Sequence, residues 1–245
     1  MAERALDRAH HLKGSASRVR VRLEEVRFLV FGRSLPAVLF AVLGYRVVVF
    51  NLVPQVHRLP AHASPLDVVA GPLPAGLYFL FCAIPVGIYL TRPRPTARDG
   101  RLIARAAGLL GTTMLLVVGA FPDPALFTPP DALRDASTPL TIVAFSVAVS
   151  GLLFLRRSLS IIPEARRLVT GGPYRLIRHP LYAAEILAAL AIVISRPALW
   201  AVVTVIPFIA VQLTRASFEE RLLQRTFPAY RAYAARTKRL IPLFW

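Results

Sequence analysis

The sequence predicts an all-α fold: a polytopic membrane helix bundle of four spans, followed by a C-terminal helical hairpin and a cytoplasmic amphipathic tail helix. Three observations lead there. Of 245 residues, 56% are hydrophobic and 18% charged, and the mean hydropathy of +0.56 is too high for an ordinary soluble domain. Apolar stretches recur with lengths close to the roughly 20 residues that a hydrocarbon core demands. Basic residues gather in alternate loops, the asymmetry that orients membrane helices.

Residues 1–33 form a basic segment, cytoplasmic or interfacial, without the short apolar run and small-residue cleavage site of a removable signal peptide. Residues 34–155 read as the four-span scaffold, with spans at 34–53, 71–90, 102–121 and 138–155. Residues 156–245 contain a polar connector, the hairpin and the tail. The apolar run 181–213 is too long for one span and is cut at Ser195-Arg196-Pro197, where proline and arginine mark a turn. Its first half has only about 15 residues, or roughly 22 Å of helix, so it either extends back through 174–180 or stops short of crossing. In the tail, Phe218, Leu222, Leu223 and Phe227 recur at helical spacing, from a start near Thr214 to a break around Pro228.

The net charge of +17 does not indicate nucleic acid, because the arginines alternate between loops instead of covering one soluble face. Arg27 and Arg33 precede the first span, Arg92, Arg94, Arg98 and Arg101 follow the second, and Arg156, Arg157, Arg166, Arg167, Arg175 and Arg178 follow the fourth. The tail carries Arg215, Arg221, Arg225, Arg231, Arg236, Lys238 and Arg239. All these segments belong inside, which puts both termini in the cytoplasm, and a bacterial inner membrane is the expected location. Cys82 is the single cysteine, so no intramolecular disulfide forms, and His57 and His62 are too sparse for a metal site.

The chemistry-bearing residues fall in two places. In the connector, Gly171 and Gly172 permit close backbone approach, Pro173 fixes a dihedral, and Pro180 opens a helix whose N-terminus favours an anionic group near Arg178 and His179. Taken singly, such pieces are turns and headgroup contacts. Glu185 lies one turn inside the helix, where a carboxylate requires a cavity or a partner such as Arg178 or Arg215. In the tail, Glu219 and Glu220 are adjacent acids on a strongly basic face, either neutralising Arg215, Arg221 and Arg225 or meeting the connector to enclose a cofactor of mixed charge.

Gly172-Pro173-Tyr174, then Arg178-His179-Pro180 with Tyr182, then Glu219-Glu220, Phe227, Tyr230, Tyr233 and Ile241-Pro242 together resemble the isoprenylcysteine carboxyl methyltransferase family, itself similar to membrane phospholipid methyltransferases. The resemblance covers about residues 168–242. It implies S-adenosylmethionine as cofactor, contacted by Tyr174, His179, Pro180, Tyr182, Glu219 and Glu220, with a lipophilic substrate entering from the bilayer among membrane lipids. Arg178 and Arg215 become the candidate catalytic residues, orienting the acceptor. Ala184 and Pro228 stand where many members of the family have glycine.

Methyl transfer from a sulfonium is an in-line displacement that asks the protein to align a nucleophile and exclude water. A prenylcysteine-like carboxylate acceptor is already ionised, and Arg178 or Arg215 can grip it bidentately. A thiol or amine requires proton removal, for which His179, Glu185 and Tyr182 are candidates; a phospholipid acceptor fits the same frame. Two other readings compete: a membrane NADPH-dependent sterol or isoprenoid reductase, and a small transporter with Arg46, Arg105 and Glu185 along a polar path.

Overall fold

The computed structural model describes residues 21–118 and 126–242. Helix α1 runs from Val21 to His57, 37 residues without interruption. Its backbone widens into π-helical segments at Phe28–Ser34 and Val48–Leu52. Ser64 then caps the short helix α2 (Pro65–Ala70) through a capping box: Asp67 N–H donates to the Ser64 hydroxyl at 3.3 Å, and Ser64 N–H donates to the Asp67 carboxylate at 2.7 Å. Helix α3 (Pro72–Thr91) follows and carries Pro85 inside it. Helix α4 is Leu102–Val118 and α5 is Asp131–Leu155. Helices α6 (Pro180–Ser195) and α7 (Leu199–Thr226) are separated by three residues, and α8 is Tyr230–Arg236.

Among the described residues, four helices are long and apolar enough to cross a membrane: Val21–His57, Pro72–Thr91, Asp131–Ser158 and Leu199–Thr226. They are not the four that the apolar runs suggest. The expected span 102–121 begins at Leu102 as expected, but its apolar helical stretch Leu102–Met114 is among the shorter ones, and residues 119–121 lie outside the described residues. The fourth long helix is α7, which passes Thr214 without a break. The polar residues that end the apolar run, Gln212 and Arg215, are buried against neighbours, so helical backbone continues through them. The first span, expected at 34–53, extends in both directions because Arg22, Leu23, Glu24 and Glu25 are strong helix formers. The expected basic segment lies, up to residue 20, outside the described residues.

The all-α expectation also omits one detail. Strand β1 (Ala97–Arg98), before α4, pairs antiparallel with β2 (Glu164–Ala165), after α5. Thr96 N–H donates to Ala165 O at 2.8 Å and Asp99 N–H to Pro163 O at 3.1 Å, tying the loop after α3 to the connector.

The helices form an arc in which α1 packs on α3, α3 on α5, α5 on α6, α6 on α7, and α7 on α4. Small residues occupy the buried faces of α5 (Ala144, Ala148, Gly151) and α6 (Ala184, Ala188, Ala191), so the two backbones approach closely. A Cβ at Gly151 would lie 3.9 Å from the backbone nitrogen of Leu181. Phe40 and Tyr89 stack at 5.9 Å within a core completed by Ala37, Leu152 and Leu159. Outward faces carry exposed Phe31, Tyr45, Leu102 and Ile206, a surface suited to lipid and unfavourable in water.

Candidate active site

Gly172 sets the entry to the site. Its φ of +56° is the left-handed conformation, and a Cβ there would meet the Phe154 ring at 2.5 Å. The 3₁₀ turn Gly172–Arg175 that follows buries Tyr174. The chain then runs beside the tail: Arg178 N–H donates to Lys238 O at 2.7 Å and His179 N–H to Arg239 O at 3.1 Å. Pro180 occupies the first turn of α6, where a missing N–H removes no hydrogen bond.

Arg178 and His179 of the connector and Tyr182 of α6 meet Glu219 and Glu220 of α7. Arg178 Nε donates to Glu220 Oε1 at 2.8 Å, while Arg178 Nη1 donates to the carbonyls of Ala234 and Thr237 at 2.9 and 2.6 Å. His179 Nε2 lies 3.1 Å from the same Glu220 oxygen, and its Nδ1 lies 3.9 Å from Glu219. Tyr182 donates its hydroxyl to Glu219 Oε2 at 2.8 Å. The rings of His179 and Tyr182 stack at 5.4 Å and 12°, and the Arg215 guanidinium sits 4.7 Å from the Tyr182 ring centroid. Tyr174 accepts at its carbonyl from the Tyr233 hydroxyl at 2.7 Å. Burial first, then the Glu219 carboxylate, push the Tyr174 phenol well above its ordinary pKa and keep it protonated. The eight residues singled out in the sequence therefore converge on one locality.

Deeper in the bundle, Arg215 is 4% exposed. Its Nη1 donates to Gln212 Oε1 at 2.8 Å and lies 3.6 Å from the Glu185 carboxylate, which also accepts from the Gln212 amide. Its Nη2 reaches Thr112 Oγ1 and the Ile161 carbonyl at 3.4 and 3.5 Å. Its buried Nε has no hydrogen-bond partner. Gly111 makes this position possible, since a Cβ there would fall 2.5 Å from Arg215 Cδ and 2.8 Å from Nη1.

A second polar centre was not legible as a site. Glu164, on β2, has a side chain 1% exposed and accepts from Arg98 Nε at 2.7 Å, Arg166 Nη2 at 2.7 Å and Ser160 Oγ at 2.8 Å, with Arg92 Nη1 at 3.6 Å. Burial alone would raise its pKa, but Arg166, Ser160 and Arg92 together hold it below the ordinary carboxylate value. The one sequence signal is a single acid in an arginine-rich connector; its partners Arg92 and Arg98 lie on a distant loop.

These groups border a cavity of about 880 Å³. Its lining joins polar His179, Tyr182, Glu185, Arg215 and Glu219 with aromatic Phe40, Phe81, Tyr89 and Phe145 and, from α1, Arg46, Asn51 and Gln55. Polar groups and an aromatic, largely apolar lining thus share one chamber. Arg46 and Glu185 both line it, whereas Arg105 is an exposed residue of α4 and is not part of the lining.

Fold and site together define a multi-pass integral membrane protein whose polar centre adjoins a lipid-sized chamber. Residues 138–230 match the family model described as "PEMT: Phospholipid methyltransferase". No curated protein matches the chain. The matched region runs from α5 through the connector, α6 and α7 to the first residue of α8, and so contains all eight converging residues. A phospholipid-methyltransferase domain is thus found over part of the chain, and it supports a membrane methyltransferase acting on a lipophilic substrate. It does not single out the isoprenylcysteine enzymes that the sequence resembles.

Proposed function

We propose that the protein is an S-adenosylmethionine-dependent methyltransferase of the membrane, its site facing the cytoplasm with both termini, and that its acceptor is a lipid headgroup. The observation that carries this reading is the meeting of His179 and Tyr182 with Glu219 and Glu220 at the head of the 880 Å³ chamber. The donor set fits a cofactor bearing cationic and anionic groups: Glu220 lies beside Arg178 and Glu185 beside Arg215, and the buried Nε of Arg215 lacks a partner. Tyr174, His179, Pro180, Tyr182, Glu219 and Glu220 are the residues that would hold it. When bound, the sulfonium supplies an electrophilic methyl group.

The remaining chemistry falls to side chains. Arg178 is committed to Glu220 and two tail carbonyls, so its role in this reading is to clamp connector to tail. Arg215 has both terminal nitrogens engaged and one N–H left. A carboxylate acceptor calls for two parallel N–H groups; one N–H suits a single phosphate or hydroxyl oxygen. This favours a phospholipid over a prenylcysteine-like carboxylate or a small thiol. Glu185, lining the chamber beside Arg215, is the carboxylate placed to take a proton from an amine acceptor. The apolar part of the chamber's lining limits water around the transfer.

Thermal unfolding of the detergent-purified protein tests the reading. S-adenosylhomocysteine at about 100 times its Kd adds roughly 2.7 kcal/mol of stability, and His179→Ala or Glu219→Ala abolishes that gain while membrane insertion is retained. Stabilisation by NADPH instead would establish the reductase, and stabilisation by neither would return the chain to the transporters.

A further inference from the structure

Arg166 is held by two contacts and leaves a third group unused. Its Nη2 donates to Glu164 at 2.7 Å and its Nε to the Pro93 carbonyl at 3.0 Å, fixing the plane of the guanidinium. Its Nη1 is buried without a hydrogen-bond partner. The side chain is 3% exposed. Tyr230, 1% exposed, likewise has a buried hydroxyl without a partner. Buried donors left unsatisfied are costly, so each marks a place where an acceptor belongs.

Both residues line one small cavity of about 40 Å³, together with Tyr174, Glu219 and Tyr233. A single water needs about 10–15 Å³ of such space, so there is room for a small polar group such as a carboxylate. Its lining carries three arginines, Arg166, Arg167 and Arg178, against two acids, Glu164 and Glu219, and the two unsatisfied groups are a guanidinium N–H and a hydroxyl, which call for an acceptor. An anionic acceptor meets both donors at the Arg166 side of the cavity. Tyr174, Arg178 and Glu219 line this cavity and the 880 Å³ chamber alike, so the two spaces share a wall. Glu219 supplies a carboxylate on that wall. An α-amino acid carries an anion and a cation on adjacent atoms, which matches an arginine and a tyrosine hydroxyl on one side and a glutamate on the other.

We propose that Arg166 and Tyr230 bind the carboxylate of the methyl donor's amino-acid end while Glu219 receives its ammonium group. This assignment rests on the methyltransferase reading and gives it a polarity: the amino-acid end lies in the connector, and the sulfonium faces the chamber.

Calorimetry in detergent with three ligands separates the assignment from the reading beneath it. The ligands are S-adenosylhomocysteine, its decarboxylated analogue S-adenosyl-3-thiopropylamine, and 5′-methylthioadenosine. The native protein is expected to bind S-adenosylhomocysteine about 10- to 100-fold more tightly than the decarboxylated analogue, as one charged hydrogen-bonded group is worth. Arg166→Gln erases that preference and leaves affinity for the other two ligands unchanged, which also shows that the variant is folded. Tyr230→Phe, which removes one hydroxyl, narrows the preference in the same direction. If the native protein binds S-adenosylhomocysteine and Arg166→Gln weakens all three ligands equally, or none, the carboxylate subsite is wrong and the methyltransferase reading stands. If the native protein binds none of the three, both fall.

Discussion

Arg178 and Glu220, 42 residues apart in sequence, are joined by an Nε–H···Oε1 hydrogen bond of 2.8 Å, and the same guanidinium carries the carbonyls at the end of α8. One side chain thus fastens the connector to α7 and to α8.

Arg178→Ala removes three donors and leaves Glu220 with His179 and the more distant Arg239. The side chains are 17% and 16% exposed, and the expected cost is about 2–4 kcal/mol. Arg178→Lys restores little of it, because an ammonium cannot span a carboxylate and two carbonyls in that fixed fork. Thermal unfolding and proteolysis of the tail measure both, and an unchanged melting temperature in the alanine variant would contradict the clamp.

Gly111→Ala places a methyl group 2.5 Å from Arg215 Cδ. Overpacking of this kind costs about 1–3 kcal/mol. The larger consequence is a displaced Arg215, for which methyl transfer is expected to fall by about tenfold or more, equivalent to 1.4 kcal/mol or more in the barrier. Gly87→Ala is the control, since nothing lies within 4 Å of a Cβ there. Equal activity in the two variants would show that the position of Arg215 is immaterial.

Glu164 gives a pH dependence whose sign is fixed by its partners. Its folded pKa is below the ordinary value of 4.5. Its contribution is therefore fully present above that value and lost as pH falls through the folded pKa. At neutral pH, Glu164→Gln leaves buried arginines uncompensated and costs about 3–5 kcal/mol. The gap between the native protein and the variant should close as the pH is lowered below about 4.5. Melting temperatures of both proteins across that range decide it; a constant gap would mean that Glu164 does not act through its charge.

Tyr182→Phe keeps the ring that stacks on His179 and underlies Arg215 but deletes the bond to Glu219. Stability should change by about 1 kcal/mol, and affinity for S-adenosylhomocysteine should fall severalfold. Tyr182→Ala, which also removes the ring, should lose more of both. Identical effects in the two variants would mean that the hydroxyl has no part of its own.

The converging residues were legible because their signals are local. Gly172, Pro173 and Pro180 impose backbone geometry on their neighbours, and adjacent Glu219 and Glu220 stand out against a basic tail. Glu185 was legible as an acid in need of a partner, and Arg215 supplies it. Gly111 was not, because what it accommodates is 104 positions away and nothing in its own helix announces it. Arg166 reads as one more basic loop residue, and Tyr230 only as part of the tail pattern with no role of its own; their meaning comes from a cavity formed by segments far apart in the chain. The helix limits failed for a related reason. Apolar runs record where lipid is, whereas α7 continues beyond its apolar run on contacts with protein.

That continuity has a mechanical consequence. One helix of 28 residues, about 42 Å at 1.5 Å per residue, carries Phe208 in the bundle and Glu219 and Glu220 in the polar centre. Any headgroup met by Arg215, on the same helix, is met at one fixed depth below the membrane surface. Amphiphiles with tails of different lengths must all bring their heads to that plane, and the surplus tail can spill outward between helices. Discrimination should accordingly fall on the head and be slight along the chain.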